Sequence, residues 1–284
     1  MFELALAAAD DTPRPVAEIM ASAPDTAWRE ADPEDILVIE TPNGPITVLL
    51  SSVLAKNHVR QVRTLAREGF YDGLSFYRVI EGFVAQGGDF TEEKEHGGAI
   101  SLPAEFEEEL PEGAEFTVLD VVDGYAPDVG FIEGIPAGRD PEEGTAWLAH
   151  CTGAFAFARD VEKDTASTEF YITLQPQRYL DRNLTVVGKV IDGIGVAQAA
   201  PRGYVFDGEE ARPEIFPDRL TISGFTIAAD MPEGEGPRWQ VMDDRSETFA
   251  ELVAARKARP SDFFYFRPGH VDLCQMPVPV RKVD

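Results

Sequence analysis

Apolar and polar positions along the chain follow two periods. Ile36 to Glu40 and Ile46 to Leu50 are short apolar runs separated by Pro42-Asn43-Gly44. The Asn-Gly pair favours the positive φ angles of a tight hairpin, so two strands are predicted. From Leu54 to Glu68 the period changes. Val59, Val62, Leu65 and Ala66 recur at three- and four-residue spacing and Gly69 ends the run, which predicts an amphipathic helix. Strand signals resume with a turn at Asp72-Gly73, a strand Leu74 to Ile80, a turn at Glu81-Gly82, a strand Phe83 to Gln86 and a break at Gly87-Gly88. Alternation puts Phe76 and Arg78 on one face and Tyr77 and Val79 on the other, while Phe83 and Ala85 oppose Val84 and Gln86. Strand twist and the Gly82 turn are expected to bring Arg78, Phe83 and Gln86 round one concave surface. Gly153 to Ala158, Glu169 to Leu174, Thr185 to Ile191 and Leu220 to Ala228 read as further strands, with a short helix at Gly195 to Ala199.

Between Thr91 and His150 the chain is rich in Gly, Pro and Glu, yet it carries apolar patches at Phe116 to Val122 and Gly130 to Ile135, and Trp147. A flexible loop rarely holds these, so the segment is expected to fold. Towards the C-terminus, Ser246 is placed to cap a helix presenting Phe249, Leu252 and Val253, ending before Pro260. Phe263 to Phe266 and Val271 to Cys274 read as short strands, and Val16 to Met20 as a helical turn. The N-terminal extension, the central insertion and the C-terminal tail are expected to pack together.

Charge narrows the partners. Across 284 residues, 25 Lys and Arg stand against 51 Asp and Glu, a formal charge of -26. That balance argues against a grip on nucleic-acid phosphate or an anionic membrane, and no apolar run approaches the roughly 18 residues of a membrane span. The acidic run Glu105 to Glu109 lacks the ligand spacing of a calcium loop and reads as a solvated face. His58, His96, His150 and His270 show no metal-ligand spacing and read as surface or satisfied residues. No metal or cofactor is expected. Leu4 to Ala9 is apolar but short and preceded by Glu3, which fits either the trimmed end of a signal or a frayed start. Cys151 and Cys274 are the two cysteines, and the residues alone leave open one disulfide or two buried thiols.

The run from Phe76 to Asp89, FYRVIEGFVAQGGD, resembles the F-H-R-V-I-x-G-F-x-x-Q-G-G-D signature of cyclophilins, the peptidyl-prolyl cis/trans isomerases. Ala154 to Arg159 and then Thr168 to Ile172 are similar to that family's M-A-R and S-Q-F-F-I strands. Leu180-Asp181, Val186 to Val190 and Asp192-Gly193 are similar to its L-D-G, V-F-G-K-V and D-G-M elements, in the family's order. The likeness covers roughly Asp35 to Leu50, the helix after it, Phe70 to Phe90, and Gly153 to about Ile227. This layout resembles long cyclophilins of aquatic proteobacteria with N-terminal, central and C-terminal additions. It implies a mainly β fold: a cyclophilin-like eight-stranded antiparallel barrel with capping helices over residues 34–92 and 150–229. Residues 1–33, 93–149 and 230–284 would then form a small mixed α/β accessory domain.

The resemblance also implies roles. Arg78 would be the catalytic guanidinium, with Gln86 holding it or the substrate carbonyl by hydrogen bonds and Phe83 beside it. Phe83, Val84, Tyr171 and Leu184 would grip the proline ring, and Ala158, Arg159, Glu169, Tyr179 and Leu180 would complete the substrate groove. Several positions depart from the family. Glu169 replaces a glutamine and Tyr171 a phenylalanine; Tyr179 replaces the tryptophan that helps bind cyclosporin, so weak or no cyclosporin binding is expected. Leu184 and Val187 replace a histidine and a phenylalanine, which favours hydrophobic residues before the proline. Tyr77 stands where a histidine is common. The partners implied are proline-containing polypeptides, acted on by a monomer that assists protein folding. The family context favours a Cys151 to Cys274 disulfide, and with it a periplasmic or extracellular setting. The alternative is a peptide-binding or chaperone module on the same scaffold with weak isomerase activity.

Overall fold

The computed structural model describes residues 13–91, 93–203 and 218–283; the Leu4 to Ala9 stretch lies outside the described residues. Helix α1 (Val16–Ala21) and strand β1 (Trp28–Glu30) precede a hairpin of β2 (Ile36–Glu40) and β3 (Ile46–Leu50), helix α2 (Lys56–Arg67), and a second hairpin of β4 (Ser75–Val79) and β5 (Val84–Gly88). The insertion contributes β6 (Glu108–Glu109), β7 (Thr117–Val118), β8 (Asp128–Ile132), β9 (Ile135–Asp140) and β10 (Thr145–Leu148). There follow β11 (Ala154–Phe157), β12 (Phe170–Thr173), β13 (Val186–Asp192), α3 (Ile194–Ala199), β14 (Leu220–Thr221) and β15 (Gly224–Ile227), and the tail adds β16 (Arg238–Met242), α4 (Glu247–Ala258) and β17 (Val280–Val283).

The largest sheet is antiparallel, in the order β14-β4-β5-β12-β11-β13-β3-β2-β15. Its two edges belong to one passage of chain. Ile222 exchanges backbone hydrogen bonds with Gly73 and Leu74 beside β4, and the next residue, Ser223, donates to Glu40 of β2. The sheet therefore closes into a barrel, which leaves no open edge. The strand expected over Leu220 to Ala228 is instead split at this corner. Leu37, Ile39, Val48, Phe155, Phe170 and Phe225 fill the interior, with the Phe170 ring 5.1 Å from Phe155 and 5.6 Å from Phe76.

The outward side chains of the same strands are also buried. Ile36, Val38, Leu49, Ala156 and Val186 share a second apolar cluster with Phe131, Trp147, Val241, Phe249 and Leu252 of the insertion and tail. Burial on both faces explains why β2 and β3 read as unbroken apolar runs rather than alternating ones. The insertion forms a five-stranded sheet, β6-β10-β9-β8-β7, and the two termini form a three-stranded one, β1-β16-β17. Glu133 and Gly134 both take positive φ, +50° and +82°, and turn β8 into β9. Ser246 Oγ caps α4 by accepting from Phe249 N at 3.1 Å. Two expected tail strands are absent. Phe263 to Phe266 is coil, with Phe263, Tyr265 and Phe266 exposed, and Leu273–Gln275 is a single helical turn; the tail's strands are instead β16 and β17, paired on β1 and each other. Cys151 and Cys274 are bonded across 123 residues, tying the tail to the barrel at the start of β11.

The acidic run Glu105 to Glu109 is not a solvated face. Helix α2 starts after Ala55, which offers no side-chain cap, and the insertion supplies one. Glu105 accepts from the backbone N–H groups of Asn57 (2.9 Å) and His58 (3.0 Å), and Glu108 from Ala55 N at 2.6 Å. Carboxylates at a helix N-terminus satisfy orphan donors and meet the positive end of the dipole.

Candidate active site

Strands β4 and β5 pair Phe76 with Gly87 and Arg78 with Gln86, so one residue, Tyr77, is extra on β4. This bulge overturns the simple alternation expected there. Phe76 and Val79 point into the barrel, whereas Arg78 meets Gln86 on the outer face and Tyr77 is turned to the same side. A bulge re-aims side chains in this way by placing two residues opposite one.

The result is a directed chain of donors. Arg78 donates an N–H to Gln86 Oε1 at 2.8 Å, Gln86 Nε2 donates to the Tyr77 hydroxyl at 2.6 Å, and Tyr77 donates in turn to Glu169 Oε2. The amide orientation of Gln86 is set by its neighbours, since only its carbonyl oxygen can face a guanidinium. Burial, reinforced by the Glu169 charge, pushes the Tyr77 phenol far above its ordinary range, so it stays a donor. The Arg78 guanidinium lies 5.7 Å from the centroid of the Phe83 ring, within cation–π range. Thus Arg78, Phe83 and Gln86 come together. Glycine at 88 makes room for the arrangement: its φ is +140°, and a Cβ there would overlap the Glu169 carboxylate.

Strand β12 pairs Tyr171 with Gln86. Val84 (2 % exposed) and Tyr171 (3 % exposed) lie in the apolar cluster outside the barrel, an apolar floor against which Phe83, Ala158 and Leu184 are half-buried. Beside it opens a groove of about 730 Å³, lined by Tyr77, Gln86, Phe90, Ala158, Arg159 and Glu169 among others. Arg159 is held over the Phe106 ring of the insertion at 5.2 Å and donates to the Asn183 carbonyl at 3.1 and 2.9 Å. On the turn Arg178–Leu180, Leu180 is half-buried, while Tyr179 stands 60 % exposed. Among the described residues no group of three or more His, Cys, Asp or Glu side chains is arranged to hold a metal ion.

Two members of the site were not assigned to it from sequence. Tyr77 has a local signal in hindsight, since consecutive outward residues behind an interior Phe mark a bulge. His150 has none beyond its place next to Cys151. It is fully buried, with Nε2 2.9 Å from the Tyr171 hydroxyl.

Residues 36–215 match a family model described as cyclophilin type peptidyl-prolyl cis-trans isomerase/CLD. A "Probable peptidyl-prolyl cis-trans isomerase" of Brucella suis biovar 1 is 28 % identical over 200 residues, covering 70 % of this chain and 86 % of that protein. "Peptidyl-prolyl cis-trans isomerase-like 1" of Homo sapiens is 29 % identical over 195 residues, 68 % of this chain and 92 % of that one. The crystal structure of cyclophilin AquaCyp293 from Hirschia baltica aligns with a TM-score of 0.74 at 26 % identity, over 94 % of this chain and 96 % of that one. Coverage that wide reaches past residues 36–215 into the two ends.

Proposed function

Because the chain belongs to the cyclophilin family of peptidyl-prolyl cis/trans isomerases, we propose that it turns X-Pro bonds in polypeptides with Arg78 as the catalytic residue. The uncatalysed turn takes tens to hundreds of seconds, because amide resonance holds the C–N bond planar. No nucleophile or base is needed. A hydrogen bond from a guanidinium to the prolyl nitrogen favours the pyramidal, single-bonded amide, and so stabilises the twisted transition state above either ground state. The observation that carries this reading is the anchoring of Arg78, held by Gln86 at 2.8 Å and flanked by Phe83 at the edge of an apolar floor. Gln86, Tyr77 and Glu169 preorganise the guanidinium. Phe83, Val84, Tyr171 and Leu184 receive the proline ring; Ala158 and Arg159 border the preceding residues, with apolar ones favoured before proline. Tyr179, mostly exposed, offers a cyclosporin-type ligand little enclosed surface. The Cys151 to Cys274 bridge supports work on exported proteins in a periplasmic or extracellular setting.

The test is a protease-coupled isomerisation assay over peptides that vary the residue before proline. Arg78→Ala is expected to lower kcat/KM by about 10² to 10³, the range for losing one transition-state donor. Wild-type protein that leaves every peptide at the uncatalysed rate would exclude the enzyme and leave a peptide-binding module.

A further inference from the structure

Tyr171 is the one residue of the apolar floor with a polar tip, and that tip is not left to packing. Its hydroxyl lies 2.9 Å from His150 Nε2, and His150 Nδ1 lies 2.9 Å from Asp181 Oδ1. Asp181 Oδ1 also accepts the His150 backbone N–H at 2.8 Å, and Oδ2 accepts from Arg178 Nε at 2.6 Å. The two terminal nitrogens of Arg178 donate to Asp123 at 3.0 and 3.1 Å. This chain of side chains runs from β12 of the barrel, through the residue preceding the disulfide, to the insertion.

Its polarity is set from Asp181. Burial raises the Asp181 carboxyl, but the His150 hydrogen bonds and the Arg178 charge outweigh it and hold the group below the usual carboxylate range. Asp181 is therefore an anion and accepts a hydrogen bond from the Nδ1–H of His150. In the neutral imidazole, with its single ring proton on Nδ1, Nε2 is the acceptor and the Tyr171 O–H donates to it. A buried hydroxyl needs one acceptor to avoid a desolvation cost. Here the acceptor is itself oriented by a carboxylate at two atoms, and that carboxylate by an arginine clamped from the insertion. The His150 and Tyr171 rings lie nearly parallel, 13° apart, with centroids separated by 6.1 Å. Such repeated restraint goes beyond satisfying a hydroxyl, because each link fixes the orientation of the next.

We infer that His150 is a positioning residue, which locks the Tyr171 ring as the floor of the proline pocket, and that Asp123 extends this hold so that the insertion takes part in gripping substrate. The inference rests on the pocket assignment made above. Phenylalanine at 171 would depend on packing alone, so the tyrosine hydroxyl is what links the accessory elements to the pocket.

The test is a double-mutant cycle read by the Kd of an Ala-Pro-containing tetrapeptide, measured by NMR titration, with KM and kcat recorded in parallel. His150→Asn keeps a side-chain partner for Asp181 but falls short of Tyr171; His150→Gln retains an atom near the Nε2 position. Asn is expected to raise Kd and KM about fivefold, the equivalent of one neutral hydrogen bond, with kcat within about twofold. Gln should stay within about twofold of wild type. In a Tyr171→Phe background the effect of His150→Asn should vanish, as should the smaller effect of Asp123→Asn, which preserves an acceptor for the turn at Tyr125. Equal losses in both backgrounds, or peptide binding by His150→Asn as tight as wild type, would overturn the inference. Wild-type protein that binds peptide without accelerating its isomerisation would defeat the enzymatic reading, while Kd alone would still decide this one. A wild type that binds no peptide would defeat the pocket and the inference together.

Discussion

Removing the Tyr77 hydroxyl isolates the orientation of Arg78 from its charge. Tyr77→Phe keeps the ring, which packs 5.2 Å from Phe90, and deletes two hydrogen bonds: the one accepted from Gln86 at 2.6 Å and the one donated to Glu169. A neutral hydrogen bond contributes about 1 kcal/mol net, and one to a carboxylate about 1.5 to 3 kcal/mol. The site opens onto a groove where water can replace the lost partners, so the stability cost is set at about 1 to 2 kcal/mol, a few degrees in Tm for a chain of this size. The catalytic effect is separate. Without the hydroxyl, the guanidinium alone selects the amide orientation of Gln86, and the amide is held less firmly with its oxygen toward Arg78. Loosening this hold is expected to cost about 1 kcal/mol of transition-state stabilisation, roughly fivefold in kcat/KM. The expected order of damage is Arg78→Ala, then Gln86→Leu, then Tyr77→Phe, each measured in the protease-coupled assay below the protein's melting range. Turnover by Tyr77→Phe equal to wild type, with Gln86→Leu impaired, would refute the role assigned to the relay and leave Gln86 acting alone.

Reduction of the Cys151 to Cys274 bridge opens a loop of 123 residues, which the chain-entropy model equates to about 5 kcal/mol of lost stability. Guanidinium unfolding with and without reductant should shift accordingly, and a midpoint unmoved by reductant would show that the tail is held without the bond. Acid should weaken the junction of α2 with the insertion. Burial raises the Glu105 carboxyl, but hydrogen bonds from His58 and from the backbone N–H groups of Asn57 and His58 outweigh it and lower its pKa. A depressed carboxylate contributes stability that is fully present above its unfolded value, about 4.3, and is lost as pH falls through the lower folded one. The stability advantage of wild type over Glu105→Gln should thus be constant near neutrality and shrink below about pH 4; an advantage that grows on acidification would contradict the assignment.

Much of this molecule follows from local pattern. The hairpin at Asn43-Gly44, the face of α2, the Ser246 cap and the strands from Gly153 to Ile191 depend on residues a few positions apart, whose periodicity and turn chemistry are read directly from their order. The grouping of Arg78, Phe83 and Gln86 is local in the same sense, since one tight turn connects all three. Other features depend on contacts between distant segments. Tyr77 reaches Glu169 across 92 residues, Glu105 caps a helix 48 residues earlier, and His150 stands between Tyr171 and Asp181. An acidic run looks solvated until a helix end is brought against it, and a histidine without ligand spacing looks idle until a buried hydroxyl faces it. The order of residues determined the barrel and the hairpin that carries Arg78, Phe83 and Gln86. Only the tertiary structure decided which polar groups meet inside, because burial makes each of them find a partner wherever in the chain that partner lies.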